Sequence, residues 1–519
     1  MVQGSMGLQL AFIQGLYLIW CVFAIGKCHN RKLECPKELL NTPCVCKKTL
    51  EEDGLEVICE NADVDQIGIL LEKIPKETII KHMRLRGNQI VHLPGLKFQH
   101  LHIHHLSITR SNVQAIDAMA FFNLDQTLIS LDLSGNLLHS IPHEALQRLK
   151  ALKTLNLNNN LITRVTNNAF TGMKSLLNLY LDNNEIEDVE TFAFNGADNL
   201  TKIHLNHNMI KGLPGRMFSK STALQEIHLA YNMIDTFQEG FFQGVTSSLN
   251  RLDLGYNLFR EVPPAISSLQ QLEILNMNHN CLEDVSREAF VGKMVAGGVT
   301  DESSGLSNTL SALDLSSNNL SRVPVEALSS LDNLSHLNLQ NNSITSIPPH
   351  AFRTLDNSLK YLYLHQNRLS NISTRAFHSL RQLEWLYLAR NKLTTLHEEA
   401  FRPIKKSLKI LDIHDNPLKC DCNLKWISQT QWPSLLSHEK ETKCREPRET
   451  FGAVVTQLSN YPQTCEPVHT EASKLQRPLK EANNGGNVLW GFYPVLYSCS
   501  MVVVLVSNLF RVFCPVYAH

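Results

Sequence analysis

Tyrosine, histidine and aspartate return at fixed places along this chain, about every 24 residues. One series reads Asp132, Asn156, Tyr180, His204, His228, Asp253, Asn276, Asp314, Asn338, Tyr363, Tyr387 and Asp412. Beside it stand Asp182, Asn206, His207, Tyr231, Tyr256, His279, His365, Arg390 and His414. Imidazoles and carboxylates in file are the raw material of metal centres and acid–base pairs, and His204, His207 and His228 come nearest to a ligand set. Their spacing compels no fourth ligand. Acid–base catalysis needs burial to shift acidities, which an open sheet does not offer, and no G-x-S-x-G, H-E-x-x-H or P-loop phrase occurs. No catalytic residue, metal or cofactor is therefore expected. The series suits recognition of another protein, because Tyr and His give wide contact area and hydrogen bonding at modest entropic cost. The expected binding residues are Tyr180, Asp182, His204, His207, His228, Tyr231, Asp253, Tyr256, Tyr363, His365, Tyr387 and Arg390.

These side chains need a scaffold of matching period, and the intervening residues supply it. Leu152, Leu155, Leu157, Asn160 and Ile162 recur as Leu176, Leu179, Leu181, Asn184 and Ile186, then as Leu200, Ile203, Leu205, Asn208 and Ile210. The phrase L-x-x-L-x-L-x-x-N-x-L at this period is the signature of the leucine-rich repeat. The ladder of asparagines opens at Asn88, passes a degenerate unit around Leu101, Ile103 and Ile108, and resumes at Asn136. Alternate residues of a strand face opposite sides, so the paired leucines point inward and the residues between them outward, in columns about 4.8 Å apart. The asparagine is expected to turn inward and satisfy backbone groups of the bend leaving the strand. An inward Phe or Leu, as at Phe170, closes the convex side. Leucine-rich helices are rejected, because the asparagine sits beside a period-2 strand and the repeat is no heptad multiple. No unit buries its apolar face alone, so the expected fold is an α/β solenoid, a horseshoe with a parallel concave sheet and about 13–14 repeats.

The chain is 43 % hydrophobic with a net charge of −1, so nothing in its balance invites nucleic acid. Residues 1–26, apolar and closing on Ala24-Ile25-Gly26, read as a secretory signal. Cysteines then cluster before the first repeat (Cys35, Cys44, Cys46, Cys59) and after the last (Cys420, Cys422, Cys444, Cys465), as stapled lids over the exposed ends of a solenoid at 27–78 and 418–467. Secretion favours disulfides over zinc at these C-x-C pairs, and no histidine stands at ligand spacing in either lid. Cys281, at the variable position after Asn280, is expected as a free or partly covered thiol; Cys28 is also left over. The repeats occupy 79–417, broken by an insertion at 291–309 too polar to pack, expected to leave the coil as a loop. A polar linker, 468–487, leads to 488–510, whose 23 uncharged residues would span about 34 Å as a helix, enough for an apolar slab of roughly 30 Å. A single-pass helix with a short tail, 511–519, and a glycolipid-anchor signal both remain open. Sequons at Asn199, Asn319, Asn333, Asn341 and Asn371 fit the secretory route.

From Cys35 to Cys465 the chain resembles secreted and cell-surface leucine-rich repeat proteins of the Slit, Toll-ectodomain and chaoptin or connectin type. Asn416-Pro417-Leu418-Lys419-Cys420-Asp421-Cys422 with Trp426, Trp432, Cys444 and Cys465 resembles their C-terminal cap, which implies Cys420–Cys444 and Cys422–Cys465. Cys35-Pro36 and Pro43-Cys44-Val45-Cys46 resemble the N-terminal cap, which implies Cys35–Cys46 and Cys44–Cys59. Spacing alone does not choose among the three pairings of four cysteines. The opening cap also looks like arthropod secreted repeat proteins, among them the non-catalytic subunit of a shrimp luciferase. The sequence offers no TIR, EGF or immunoglobulin unit, so Toll signalling and Slit-like guidance are not carried over. The expected protein is membrane-anchored, sits at the cell surface, and binds an extracellular or cell-surface protein through its concave face in recognition or adhesion. The alternative is a secreted scaffold subunit of an enzyme complex. A homodimer stays open.

Overall fold

Alternation within a three-residue strand decides where each leucine goes. In Asn178–Tyr180 the central Leu179 is buried and its two neighbours are half-buried, and Lys202–His204 repeats the pattern around Ile203. The structure, a computed structural model, describes residues 35–461 apart from 36, 38–41, 50–53, 63, 77, 292–305 and 430–431. The chain divides into two compact units, Met1–Leu137 with Glu144–Leu155, and Leu138–His143 with Asn156–His519. Each is built of leucine-rich repeat solenoid turns, about 14 in all.

In the first unit Cys44–Lys48 pairs antiparallel with Leu55–Glu60, which runs parallel to Ile79–Arg86. Then follow His102–Thr109, the degenerate unit, and Ser130–Asp132, both parallel. Disulfides Cys35–Cys46 and Cys44–Cys59 clip the opening hairpin. The helix Val64–Lys73 carries an acid in its first turn and a base in its last, and buries Ile67 and Leu71, one turn apart. The second unit stacks Asn178–Tyr180, Lys202–His204, Glu226–His228, Arg251–Asp253, Ile274–Asn276, Ala312–Asp314, His336–Asn338, Tyr361–Tyr363, Trp385–Tyr387 and Ile410–Asp412, each parallel to the next without slippage.

The asparagines turn inward and bridge neighbouring turns. Asn208 Nδ2 donates to Leu181 O and Leu205 O, each at 3.0 Å, while its Oδ1 accepts from Ile186 N at 3.1 Å. Asn367 repeats this with Leu339 O at 2.8 Å, Leu364 O at 3.1 Å and Ile344 N at 3.0 Å. Each amide thereby satisfies three backbone groups that would otherwise be buried unpaired, a deficit of about 1–3 kcal/mol apiece. Behind the leucines a file of phenylalanines fills the convex side: Phe170, Phe194 and Phe218 stack at 5.8 and 5.6 Å. Full burial of each such side chain stabilises by roughly 1.5–3 kcal/mol.

The insertion does not disturb the coil. Ile274–Asn276 pairs directly with Ala312–Asp314, and Asn318 Nδ2 reaches Met277 O at 2.9 Å across it. The coil resumes earlier than expected: Leu306 is fully buried at the start of the short turn Leu306–Asn308, because an apolar side chain at that place can occupy the core. Residues 292–305 lie outside the described ones.

The second unit ends on a lid held by Cys420–Cys444. Trp426 packs 5.4 Å from Phe401 and donates its Nε1–H to Leu396 O at 3.0 Å. Cys422 is disulfide-bonded, and its expected partner Cys465 lies outside the described residues. Cys281 is also disulfide-bonded, which corrects the expectation of a free thiol. Its position after the ladder asparagine leaves the side chain half-buried and so within reach of a second sulfur. Among the described residues no helix is long and apolar enough to cross a membrane. The expected signal at 1–26, Cys28, and the apolar stretch at 488–510 lie outside them.

Candidate functional site

The twelve expected binding residues all fall in the second unit and gather in two patches on the open face of its sheet. Strand register builds the first: Tyr180 pairs with His204, His204 with His228, and His228 with Asp253. Tyr180 and His204 lie 4.8 Å apart, and the His204 and His228 rings stack at 4.2 Å. Carboxylates border the imidazoles. His228 Nε2 is 3.3 Å from Glu226 Oε2, His228 Nδ1 3.9 Å from Asp253 Oδ2, and His204 Nδ1 3.6 Å from Asp182 Oδ2.

Alongside runs a second file, His207, Tyr231, Tyr256 and His279, stacked nearly parallel at 4.1, 3.9 and 3.9 Å. All four take left-handed backbone, with φ of 55°, 58°, 54° and 50°. Bulky side chains rarely tolerate this, at a cost of about 1–2 kcal/mol each. The coil enforces it, since each of these N–H groups donates to a carbonyl of the next turn: His207 to Ala230, Tyr231 to Gly255, Tyr256 to Asn278 and His279 to Ser316. The rings are thereby held edge-out in one fixed array.

Burial disfavours charge on three imidazoles of this patch. It pulls the His204 imidazole down to about 4, helped by neighbouring His228, and it lowers His207 and His279 too. Burial also raises the Asp182 carboxyl, against hydrogen bonds from Asn206 and Asn158, and raises the Tyr231 phenol, with Tyr256 adding to it. At Glu226 burial works upward but is outweighed by Lys202, whose Nζ lies 2.6 Å away, and by His228, so the net shift is downward. Neutral imidazoles can donate and accept at once, so the surface reads as aromatic and hydrogen-bonding with a charged border.

The second patch holds Tyr363, His365, Tyr387 and Arg390. Tyr363 and Tyr387 stack at 5.1 Å, and Tyr361 meets Trp385 edge-on at 4.8 Å. The left-handed file here is polar: Gln366 bonds Gln340 at 2.8 Å, and Arg390 Nε lies 3.5 Å from Asp415. Between the patches the column is polar too, with Asn276 donating to Asp253 at 2.9 Å and Asn338 to Asp314 at 3.1 Å. Sequence reasoning passed over Lys202, Glu226, Tyr361 and Trp385. The available signal was the same alternation, since the first residue of each strand also faces out. All five sequon asparagines are exposed, and Asn341 stands in the left-handed file between the patches, its Nδ2 3.0 Å from Ser317 Oγ.

The family model described as "Leucine rich repeat" matches residues 126–186, 175–234, 222–282, 247–293, 308–358 and 357–418, more than half of the chain. The chain belongs to the leucine-rich repeat family. Leucine-rich repeat proteins are generally protein–protein recognition modules. Leucine-rich repeat-containing protein 3B of Homo sapiens is 33 % identical over 125 residues, which cover 24 % of this chain and 43 % of the relative. The chain thus spans less than half the length of the curated relatives it matches. Among solved structures, a Leptospira interrogans leucine-rich repeat protein superposes with a TM-score of 0.55 at 25 % identity, covering 70 % of this chain and 85 % of that one. The TLR13–ssRNA13 complex gives a TM-score of 0.58 at 24 % identity over 74 % and 57 %. These likenesses concern the repeat fold.

Proposed function

We propose that this leucine-rich repeat protein is a cell-surface recognition or adhesion protein that captures an extracellular protein on the ring file His207, Tyr231, Tyr256 and His279 and the His204–His228 column beside it. The observation that carries the reading is the array itself. Four bulky residues are kept in unfavourable backbone conformation with their ring edges on the open face, where they do nothing for the leucine core. Preset aromatic surface with fixed hydrogen-bonding edges is what binding hot spots use. Disulfide-clipped ends and exposed sequons support a secreted chain. A glycan on Asn341 would confine the partner to one patch at a time. The residues at 488–510 would tether the chain as a helix, or be replaced by a lipid attached upstream of them.

The test is affinity capture and chemical cross-linking with the full-length chain displayed on cells, against a Tyr231→Ala, Tyr256→Ala double variant. The partner should cross-link near His207 and be lost from the variant while surface display is retained. A partner captured equally by both contradicts the site. Release of the displayed chain by phospholipase would assign the lipid anchor, and retention the helix.

A further inference from the structure

At the end of the sheet, where the last repeat meets the lid, three ligating side chains converge that the recognition reading leaves unused. Asp412 closes the strand Ile410–Asp412 and is only 4 % exposed, although it carries a carboxylate. His414 Nδ1 lies 2.6 Å from Asp412 Oδ1, and His438 Nδ1 lies 3.7 Å from Asp412 Oδ2. The two imidazole rings stand 4.7 Å apart. One ligand atom from each of the three residues lies within 4.8 Å of the others.

The residues come from two segments that the backbone locks together. Leu436 bridges to Leu411, and Ser437 N donates to Leu411 O at 3.1 Å, which lays the lid segment along the last strand. His438 has left-handed backbone, and its carbonyl accepts from Glu441 N at 3.0 Å and from Thr442 N and Oγ1 at 3.1 Å each, so the ring's origin is fixed over the carboxylate. Beside it, Ala389 stands between His365 and His414 in their outward column. His365 Nδ1 is buried there without a hydrogen-bond partner. Arg390 and Asp415 close the outer side, with His414 Nε2 3.7 Å from Asp415 Oδ2.

An ordinary hydrogen-bonded cluster accounts for His414 on Asp412 but not for His438, because 3.7 Å is too long for a hydrogen bond. A tetrahedral ion with bonds of about 2.0–2.1 Å sets its ligand atoms roughly 3.3 Å apart, close to that separation. The half-exposed His438 and the partly exposed His414 have the rotational freedom to close the rest. Two imidazole nitrogens with one carboxylate suit the zinc class of divalent ions, whereas calcium and magnesium want oxygen ligands throughout.

We propose that Asp412, His414 and His438 bind one divalent transition-metal ion of the zinc class, with the remaining coordination position open to the face of the sheet. Three protein ligands and one exchangeable position leave the ion able to accept a donor from a bound partner, and the bound ion pins the lid to the last repeat.

The test uses the purified full-length chain, stripped with chelator and dialysed against zinc chloride, and in parallel against calcium and magnesium chloride. One zinc ion per chain should be retained, with neither calcium nor magnesium. His438→Ala and Asp412→Asn should each weaken retention by more than the roughly ten-fold that even an outer partner of a metal ligand commands. Because His438 is half-exposed, His438→Ala should melt like the parent without metal and should lack the upward shift of melting temperature that zinc gives the parent. Cobalt loading should give the visible absorption of a four-coordinate ion in the parent and not in His438→Ala. Zinc retention unaltered by His438→Ala, from histidines elsewhere, or no retained zinc in the parent, overturns the proposal.

Discussion

Two stretches of one open face, Tyr180 to His279 and His336 to Asp412, share a backbone plan and differ in how their outward positions are filled. In the first, rings occupy the left-handed file on four successive turns and lean on one another without a break. In the second, that file is polar and the rings sit on the strands. An unbroken file makes a firm aromatic surface, suited to a broad protein contact. Beside the polar one, His365, Asp412 and His414 come together. With the same core beneath, the choice of outward side chains separates a ring surface from a cluster of ligating groups.

The comparison requires that the core beneath both patches be equivalent. Asn208→Ala under the first and Asn367→Ala under the second each strand three backbone groups. Each should therefore cost upwards of about 3 kcal/mol, read as matching falls in denaturation midpoint. A large loss for one and a small loss for the other would show that the patches rest on different foundations. Next in size, Tyr231→Ala with Tyr256→Ala should lower partner affinity roughly thirty-fold or more, about 2 kcal/mol or above at a hot spot, while Tyr363→Ala with Tyr387→Ala should lower it less. Equal losses in a binding titration would merge the two patches into one.

A smaller effect isolates the backbone. Tyr256→Ala keeps the left-handed cost and loses the stacking, whereas Tyr256→Gly loses both, so Gly should be the more stable variant by about 1 kcal/mol. If calorimetry finds Ala the more stable, the ring array is not held against backbone preference. A separate effect concerns acid. His204 titrates near 4 in the folded chain and near 6.5 when unfolded, so between those values the unfolded state binds a proton that the folded state refuses. Stability should therefore fall as pH drops from about 6.5 toward 4, and His204→Asn should shrink that fall. Melting curves at pH 7 and pH 5 that show the same drop in both proteins would remove His204 from the account.

The repeating parts of this molecule were legible from residues alone, since every turn imposes the same demand on its leucines and asparagine and chance does not produce that agreement a dozen times over. The outward faces of Tyr180, His204 and Tyr231 followed from alternation. Their division into two patches did not, because it depends on which residues lie between them, and neither Asn276 nor Asn338 announces a boundary. His438 was invisible for a different reason. It belongs to the aperiodic lid, and only the bridge between Leu411 and Leu436 brings it beside Asp412. The bond at Cys281 escaped likewise, because pairing follows proximity in space rather than position within a repeat.

The closing of Ile274–Asn276 onto Ala312–Asp314 has a practical corollary. Since Met277 N still finds Asp314 O at 2.8 Å, the length of chain spliced between these rungs is not something the coil has to count. A reporter cassette or affinity tag placed after residue 291 should leave the ring file on one side and the Asp412 cluster on the other undisturbed. Genetic cargo could then be carried in mid-chain, away from both termini.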